Sequence, residues 1–298
     1  MTIPTIQPGI LEPIPALGRA VEFHLLPEAD AESALRALRR IPCDGRCVIG
    51  LGAGLVHGRM QEIPGLRPFP AMSGPGWSVP STQADLWCWM RGEDRGHLFH
   101  DARALDLLLR EGFEPVRGLD LFKYDRGLDL TGYEDGTENP TGDEAVAAAC
   151  LSGTTPGLDG SSFVAVQQWR HDFVRFDRMS GEQRDEIIGR RLEDNEELES
   201  APASAHVKRT AQESFDPEAF VLRRSMPWAD ASGAGLCFIA FGRSLDPFEA
   251  QLRRMTGQED GIVDGLFRFS RPLTGGYFWC PPVGPDGLNL MAIGIPRW

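Results

Sequence analysis

Hydrophobic and polar positions along the first half of the chain fall into an order of six segments. Residues 19–26 alternate as a half-buried strand does, 29–40 space their apolar residues as a helix does, and 46–51 form a short apolar run. A Pro/Gly-rich stretch follows at 63–80; then come an apolar segment at 86–91, an amphipathic one at 94–111 and an alternating one at 115–124. The pattern predicts strand, helix, strand, strand, helix, strand. The second half repeats it. Residues 162–170 read as a strand, and 180–190 as a helix opened by Ser180 with Gln183 three residues on. Strands at 220–224 and 235–242, a helix at 246–255 and a last strand at 276–281 complete the unit. The repeat lies in element order, with little residue-by-residue similarity between the halves.

Two βαββαβ units in tandem predict an α+β fold of two ferredoxin-like halves, each an antiparallel sheet with helices on one face. The division falls at 1–145 and 146–298. Two segments stand outside the pattern. One is an insertion at 192–219, which opens on the acidic run 193–199 and contains His206. The other is the linker at 128–160, rich in Gly, Asp and Thr. Loops this long inside a compact domain are either functional or disordered.

Composition narrows the function classes. With 42% hydrophobic residues the 298-residue chain can build a real core. A formal charge of −13, from 30 basic against 43 acidic residues, excludes an extended nucleic-acid surface and disfavours anionic membranes. No run approaches the roughly 18 apolar residues of a spanning helix, and residues 1–15 lack the basic start and apolar run of a secretory leader. A cytoplasmic protein is expected. Cys43, Cys47, Cys88, Cys150, Cys237 and Cys280 are scattered as core thiols are, with no disulfide framework.

Several motifs fall short. Gly50, Gly52 and Gly54 resemble the start of a dinucleotide loop, but Leu55 stands where the third glycine is required. His97 and His100 could share a helix face and a metal, yet no further ligands accompany them, and a solvent-facing pair accounts for them better. His24, His57 and His171 stand alone. No nucleophile elbow, phosphate-binding loop or His-Glu-x-x-His is present.

The richest segment is Asp129-Leu-Thr-Gly-Tyr-Glu-Asp-Gly-Thr-Glu-Asn-Pro140, a polar turn with four carboxylates. Its spacing is not that of an EF-hand. By itself it reads equally as a solvated acidic turn or as a functional one. It matches the G-x-x-D-G signature of dye-decolourising peroxidases, with Gly132, Asp135 and Gly136 in place. Three more segments agree in order and spacing: Ser204-Ala-His-Val-Lys-Arg-Thr210, Val221-Leu-Arg-Arg-Ser-Met-Pro227 and Leu266-Phe-Arg-Phe-Ser-Arg-Pro-Leu-Thr-Gly-Gly-Tyr-Phe278. On these segments the chain resembles that family across nearly its whole length, and its compact form is similar to the bacterial B subgroup.

The resemblance implies b-type haem in the C-terminal half, with His206 as the proximal iron ligand and Asp264 orienting its ring. The haem is non-covalent, since no Cys-x-x-Cys-His is present. It implies Asp135 as the acid/base for hydrogen peroxide and Arg223 as a fixed positive charge beside it. The peroxide is reduced to water through an oxoferryl haem, which then oxidises small aromatic donors such as phenols and dyes, with Mn(II) a further candidate. Gly136 and Ser225 would border the haem; Arg190, at the end of a predicted helix, reads either as a partner for a propionate or as a cation favoured by the helix dipole. Ser225 departs from the asparagine that many B-subgroup members carry. Aspartate has a reference pKa of about 3.9, so a carboxylate base predicts activity in mildly acid solution. Trp87, Trp89, Trp169, Trp228, Tyr133 and Tyr277 are conceivable electron relays, although packing explains them equally well. A homo-oligomer is expected, and the apolar end at 288–298 is either a docking peptide for an encapsulin shell or a final core strand. Rival readings are a haem carrier, which would need His206 but not Asp135, and a chlorite-degrading or iron-removing haem enzyme.

Overall fold

Capping and two-residue alternation account for most of the elements seen in the computed structural model, which describes residues 5–57, 62–74, 76–153, 157–285 and 287–295. The first unit runs β1 (Leu17–Leu25), α1 (Ala31–Leu38), β2 (Cys47–Leu51), β3 (Leu86–Gly92), α2 (Arg95–Leu109) and β4 (Phe113–Phe122). Asp30 and Asp94 cap the two helices by accepting the backbone N–H groups of Ser33 and His97, each at 2.9 Å. After α3 (Gly142–Ala149), which crosses the 145/146 division, the second unit opens with β5 (Ser162–His171) and α4 (Gly181–Ile188). Helix α4 carries the full Ser180/Gln183 capping box and ends at Gly189 in the left-handed conformation. A one-turn helix α5 (His206–Arg209) interrupts the predicted insertion. Then follow β6 (Leu222–Arg223), β7 (Met226–Asp230), β8 (Gly233–Gly242), α6 (Asp246–Met255), β9 (Ser270–Pro272) and β10 (Gly276–Cys280).

Strand order is β4-β1-β3-β2 in the first unit and β10-β5-β8-β6 in the second, with β7 also on β8 and β9 on β5. This is the α+β, antiparallel, ferredoxin-like arrangement in both halves. The halves do not keep separate sheets. Edge strands β2 and β10 pair at Leu51 and Trp279, so ten strands form one sheet. Both strands are almost wholly buried, and joining them removes two edges that would otherwise leave unpaired backbone groups.

The sheet is apolar on both faces. In β3, Leu86, Cys88 and Met90 enter the cluster that holds Leu35 and Leu38 of α1, while Trp87 and Trp89 point the other way, to Trp228 and Phe278. Alternation is therefore masked in this strand, and it reads in sequence as a plain apolar run. Among the described residues the C-terminal segment forms no strand of the large sheet. It makes a short hairpin at 283–288 and a 3-10 turn at 291–293, with Leu290, Ile293 and Ile295 buried; 296–298 lie outside the described residues. Among the described residues no helix is long and apolar enough to cross a membrane, and the six cysteines are free thiols.

Candidate functional site

The 129–140 segment is built as a tight turn. Asp129 N–H donates to the Tyr133 carbonyl at 2.9 Å and Gly132 N–H to the Asp129 carbonyl at 2.8 Å. Gly132 and Gly136 have φ of +91° and +84°, conformations that an L side chain resists. A Cβ on Gly132 would also stand 3.3 Å from the Leu192 side chain. The flanking residues are tethered. Tyr133 Oη donates to Asp185 Oδ1 at 2.5 Å, and burial, reinforced by Asp185, pushes its phenol well above the usual range. Glu134 accepts from Arg126 at 2.8 Å and from Asn195 Nδ2 at 2.9 Å.

Asp135 itself is held loosely: among the described residues its side chain has one polar partner, Arg223 Nη1 at 3.4 Å. The two side chains are 19% and 17% exposed. Arg223 comes from β6, and its backbone is fastened to the turn by a residue that the sequence reading did not single out. The Asn139 amide accepts from Arg223 N–H at 2.8 Å and donates to the Arg223 carbonyl at 2.9 Å. Gln212 adds a second tie, accepting from Val221 N–H at 2.8 Å and donating to the Glu138 carbonyl at 3.0 Å. Asn139 lies within the polar turn and was open to notice; Gln212 carries no local signal.

His206 opens α5. Its Nδ1 lies 2.8 Å from Asp264 Oδ2, and Asp264 is fully buried with its other oxygen accepting Leu266 N–H at 2.8 Å. A carboxylate in that place accepts a hydrogen bond from Nδ1–H and leaves Nε2 as the atom with a free lone pair. His206, Asp135 and Arg223 line one cavity, with about 920 Å³ of atom-free space including its mouth. Its walls are mostly apolar, with Leu236, Phe238, Phe248, Leu252 and Phe269 among them. The cavity is also bordered by His171 and Asp129, which bond to each other at 3.0 Å.

These residues suit a haem. An apolar cleft takes the macrocycle, a tautomer-locked imidazole offers one nitrogen to iron, and buried polar atoms without partners, Arg223 Nε and Gln167 Nε2, remain to be satisfied. Arg190, Ser225 and Gly136, the other candidates for haem contact, are not among the residues that line the cavity, whereas Tyr133 and Trp169 are. Arg190 bonds Glu138 at 2.8 Å, Glu197 at 3.4 Å and the Asn195 carbonyl at 3.0 Å. Ser225 is buried with its hydroxyl unpartnered. Gly136 shapes the turn behind Asp135.

The chain is similar to known proteins in sequence and in fold. The family model for the C-terminal part of Dyp-type peroxidases matches residues 126–284. A dye-decolorizing peroxidase of Rhodococcus erythropolis is 32% identical over 252 residues, 81% of this chain and 74% of its own. A solved Dyp-type peroxidase protein from Shewanella oneidensis shares the fold with a TM-score of 0.87 at 27% identity, over 94% of this chain and 97% of its own. A DypB variant from Rhodococcus jostii, solved in complex with haem, has a TM-score of 0.84 at 28% identity, over 91% of this chain and 94% of its own. Matched along most of its length in sequence and fold, this chain belongs to the Dyp-type peroxidase family.

Proposed function

We propose that the protein is a b-type haem peroxidase that reduces hydrogen peroxide to water and oxidises phenols and dyes, with Mn(II) a further candidate donor. The observation that carries this is the convergence of Asp135, Arg223 and the His206–Asp264 pair on one apolar cavity. Likeness to DypB structures supports a place in the bacterial B subgroup. In this reading the first unit, 1–145, delivers Asp135 on its closing segment, and the second, 146–298, supplies His206, Asp264 and Arg223.

Haem, when bound, supplies the iron that takes up peroxide and stores its oxidising equivalents. His206 Nε2 would hold that iron, with Asp264 fixing the tautomer and raising the basicity of the ring. The Asp135 carboxylate takes a proton from one peroxide oxygen and returns it to the other, which leaves as water. Arg223 stands beside it as a permanent cation, placed to stabilise the negative charge that develops on peroxide while its proton is moved. The apolar wall lowers the dielectric beside both charges and so strengthens their action.

The test is stopped-flow mixing of haem-loaded protein with hydrogen peroxide. Asp135→Asn is expected to slow the reaction about 10²–10⁴-fold, as removal of a general acid/base does, with the haem spectrum retained. A haem spectrum that peroxide leaves unchanged in the unsubstituted protein would sink the enzyme reading and favour a carrier.

A further inference from the structure

His171 stands at the end of β5, nearly buried, on the wall of the cavity that holds Asp135. Its ring is engaged on both sides. Nδ1 lies 2.8 Å from Ser270 Oγ, directly across the β5–β9 pair, and Nε2 lies 3.0 Å from Asp129 Oδ2. With both nitrogens occupied, the ring has no atom left to take a proton from a substrate, and what it can do is hold.

What it holds is the origin of the catalytic turn. Asp129 turns one oxygen to His171, while the other accepts Thr131 N–H at 2.8 Å and the Thr131 hydroxyl at 2.5 Å. The backbone of the same residue closes the turn through Gly132 and Tyr133. Asp135 follows two residues later. Its own 3.4 Å contact to Arg223 is too long to fix a carboxylate, so its aim depends on the turn behind it. The partnership crosses the molecule, joining a strand of the haem half to the closing segment of the first half. It also keeps Asp129 charged: burial alone would raise its pKa, but the bond and charge of His171, with Thr131, outweigh burial and hold it below the ordinary range.

We propose that His171 is a positioning residue for the peroxide reaction, its hydrogen bond to Asp129 setting the turn that aims Asp135 into the cavity. The inference rests on the reading of Asp135 as the acid/base residue.

Two substitutions separate holding from mere packing. In His171→Gln the amide nitrogen reaches about as far as Nε2 and can still donate to Asp129. In His171→Asn the side chain stops near the Nδ1 position, keeps Ser270 within reach and loses Asp129. Both are measured as haem-loaded protein, by the peroxide rate per bound haem and by backbone amide exchange across residues 129–136. The Asn variant is expected to lose up to about 10²-fold in rate, the scale of a 1 Å misplacement, with exchange accelerated in that segment and not across 204–210. The Gln variant is expected to stay near the unsubstituted protein on both readouts. Equal behaviour of the two variants, or segment exchange that neither changes, overturns the proposal. Should the Asn variant fail to fold, Asp129→Ala removes the same bond from the other side and carries the same expectation. Asp135→Asn serves as the control: if it leaves the rate unchanged, the acid/base reading fails, while the exchange contrast between the Gln and Asn variants still decides the clamp.

Discussion

Asp264 is wholly buried with both oxygens committed, one to His206 and one to the Leu266 N–H. Its removal would leave the His206 Nδ1–H without an acceptor and the ring free to turn. Asp264→Ala is therefore expected to weaken haem affinity about 10–100-fold, the usual effect of losing such a support, read by titration of the apoprotein with haem. A second prediction concerns Asp129, whose pKa is held down by His171 and Thr131 against the opposing effect of burial. A carboxyl with a lowered folded pKa contributes stability that is fully present above its unfolded value, near 3.9, and lost as pH falls through the lower folded value. Unfolding followed between pH 6 and 2 should thus show an acid limb that Asp129→Asn flattens; an unchanged limb would remove Asp129 from the account.

Helix α4 shows how an element that supplies no candidate reacting group sets the place of His206. It starts on a capping box and stops at Gly189, whose φ of +94° suits glycine. A Cβ there would stand 2.3 Å from Val207 Cγ2 and 3.2 Å from the Ala205 side chain, the two neighbours of His206. Gly189→Ala should therefore cost about 1–3 kcal/mol in backbone strain and steric clash and weaken haem binding as well. Ser180→Ala, which removes only the cap, should cost about 1 kcal/mol and leave haem affinity unchanged. Chemical denaturation and haem titration of both variants distinguish a general loss of helix from displacement of α5.

At the scale of the whole molecule, the two halves are stitched by side-chain amides as well as by the β2–β10 pairing. Gln83, from the first half, accepts from Phe69 N–H and Tyr277 N–H and donates to the Ala84 and Tyr277 carbonyls. Gln7 bridges the Ile49 and Pro281 carbonyls and accepts Ile49 N–H. Each amide satisfies backbone groups that the junction would otherwise bury unpaired. Gln83→Ala is expected to destabilise the protein by about 1–3 kcal/mol and to broaden the denaturation transition as the halves uncouple. A sharp transition at the original midpoint would show the stitch to be dispensable.

The order of elements was open to view in the sequence because period-2 and period-3.6 patterns are local consequences of which side faces a core; β3, buried on both faces, shows only an apolar run, and β7 and β9 were not read. The polar turn 129–140 stood out on its residues but read equally as a solvated loop, and the histidine of 204–210 and the arginine of 221–227 were picked out only by the resemblance of their segments to a known family. Other features were decided only in three dimensions. The joining of two sheets at Leu51 and Trp279 depends on which edges meet, and apolar edge strands look alike in sequence. His171 stands alone in the chain and finds Asp129 only because β5 ends beside the turn. Arg190, a cation at the end of α4, turns to Glu138 and Glu197 once the acidic loop folds back on it. What the sequence by itself determined was the set of reactive groups and the elements that carry them. Their mutual distances came from long-range packing, which brings together residues far apart along the chain.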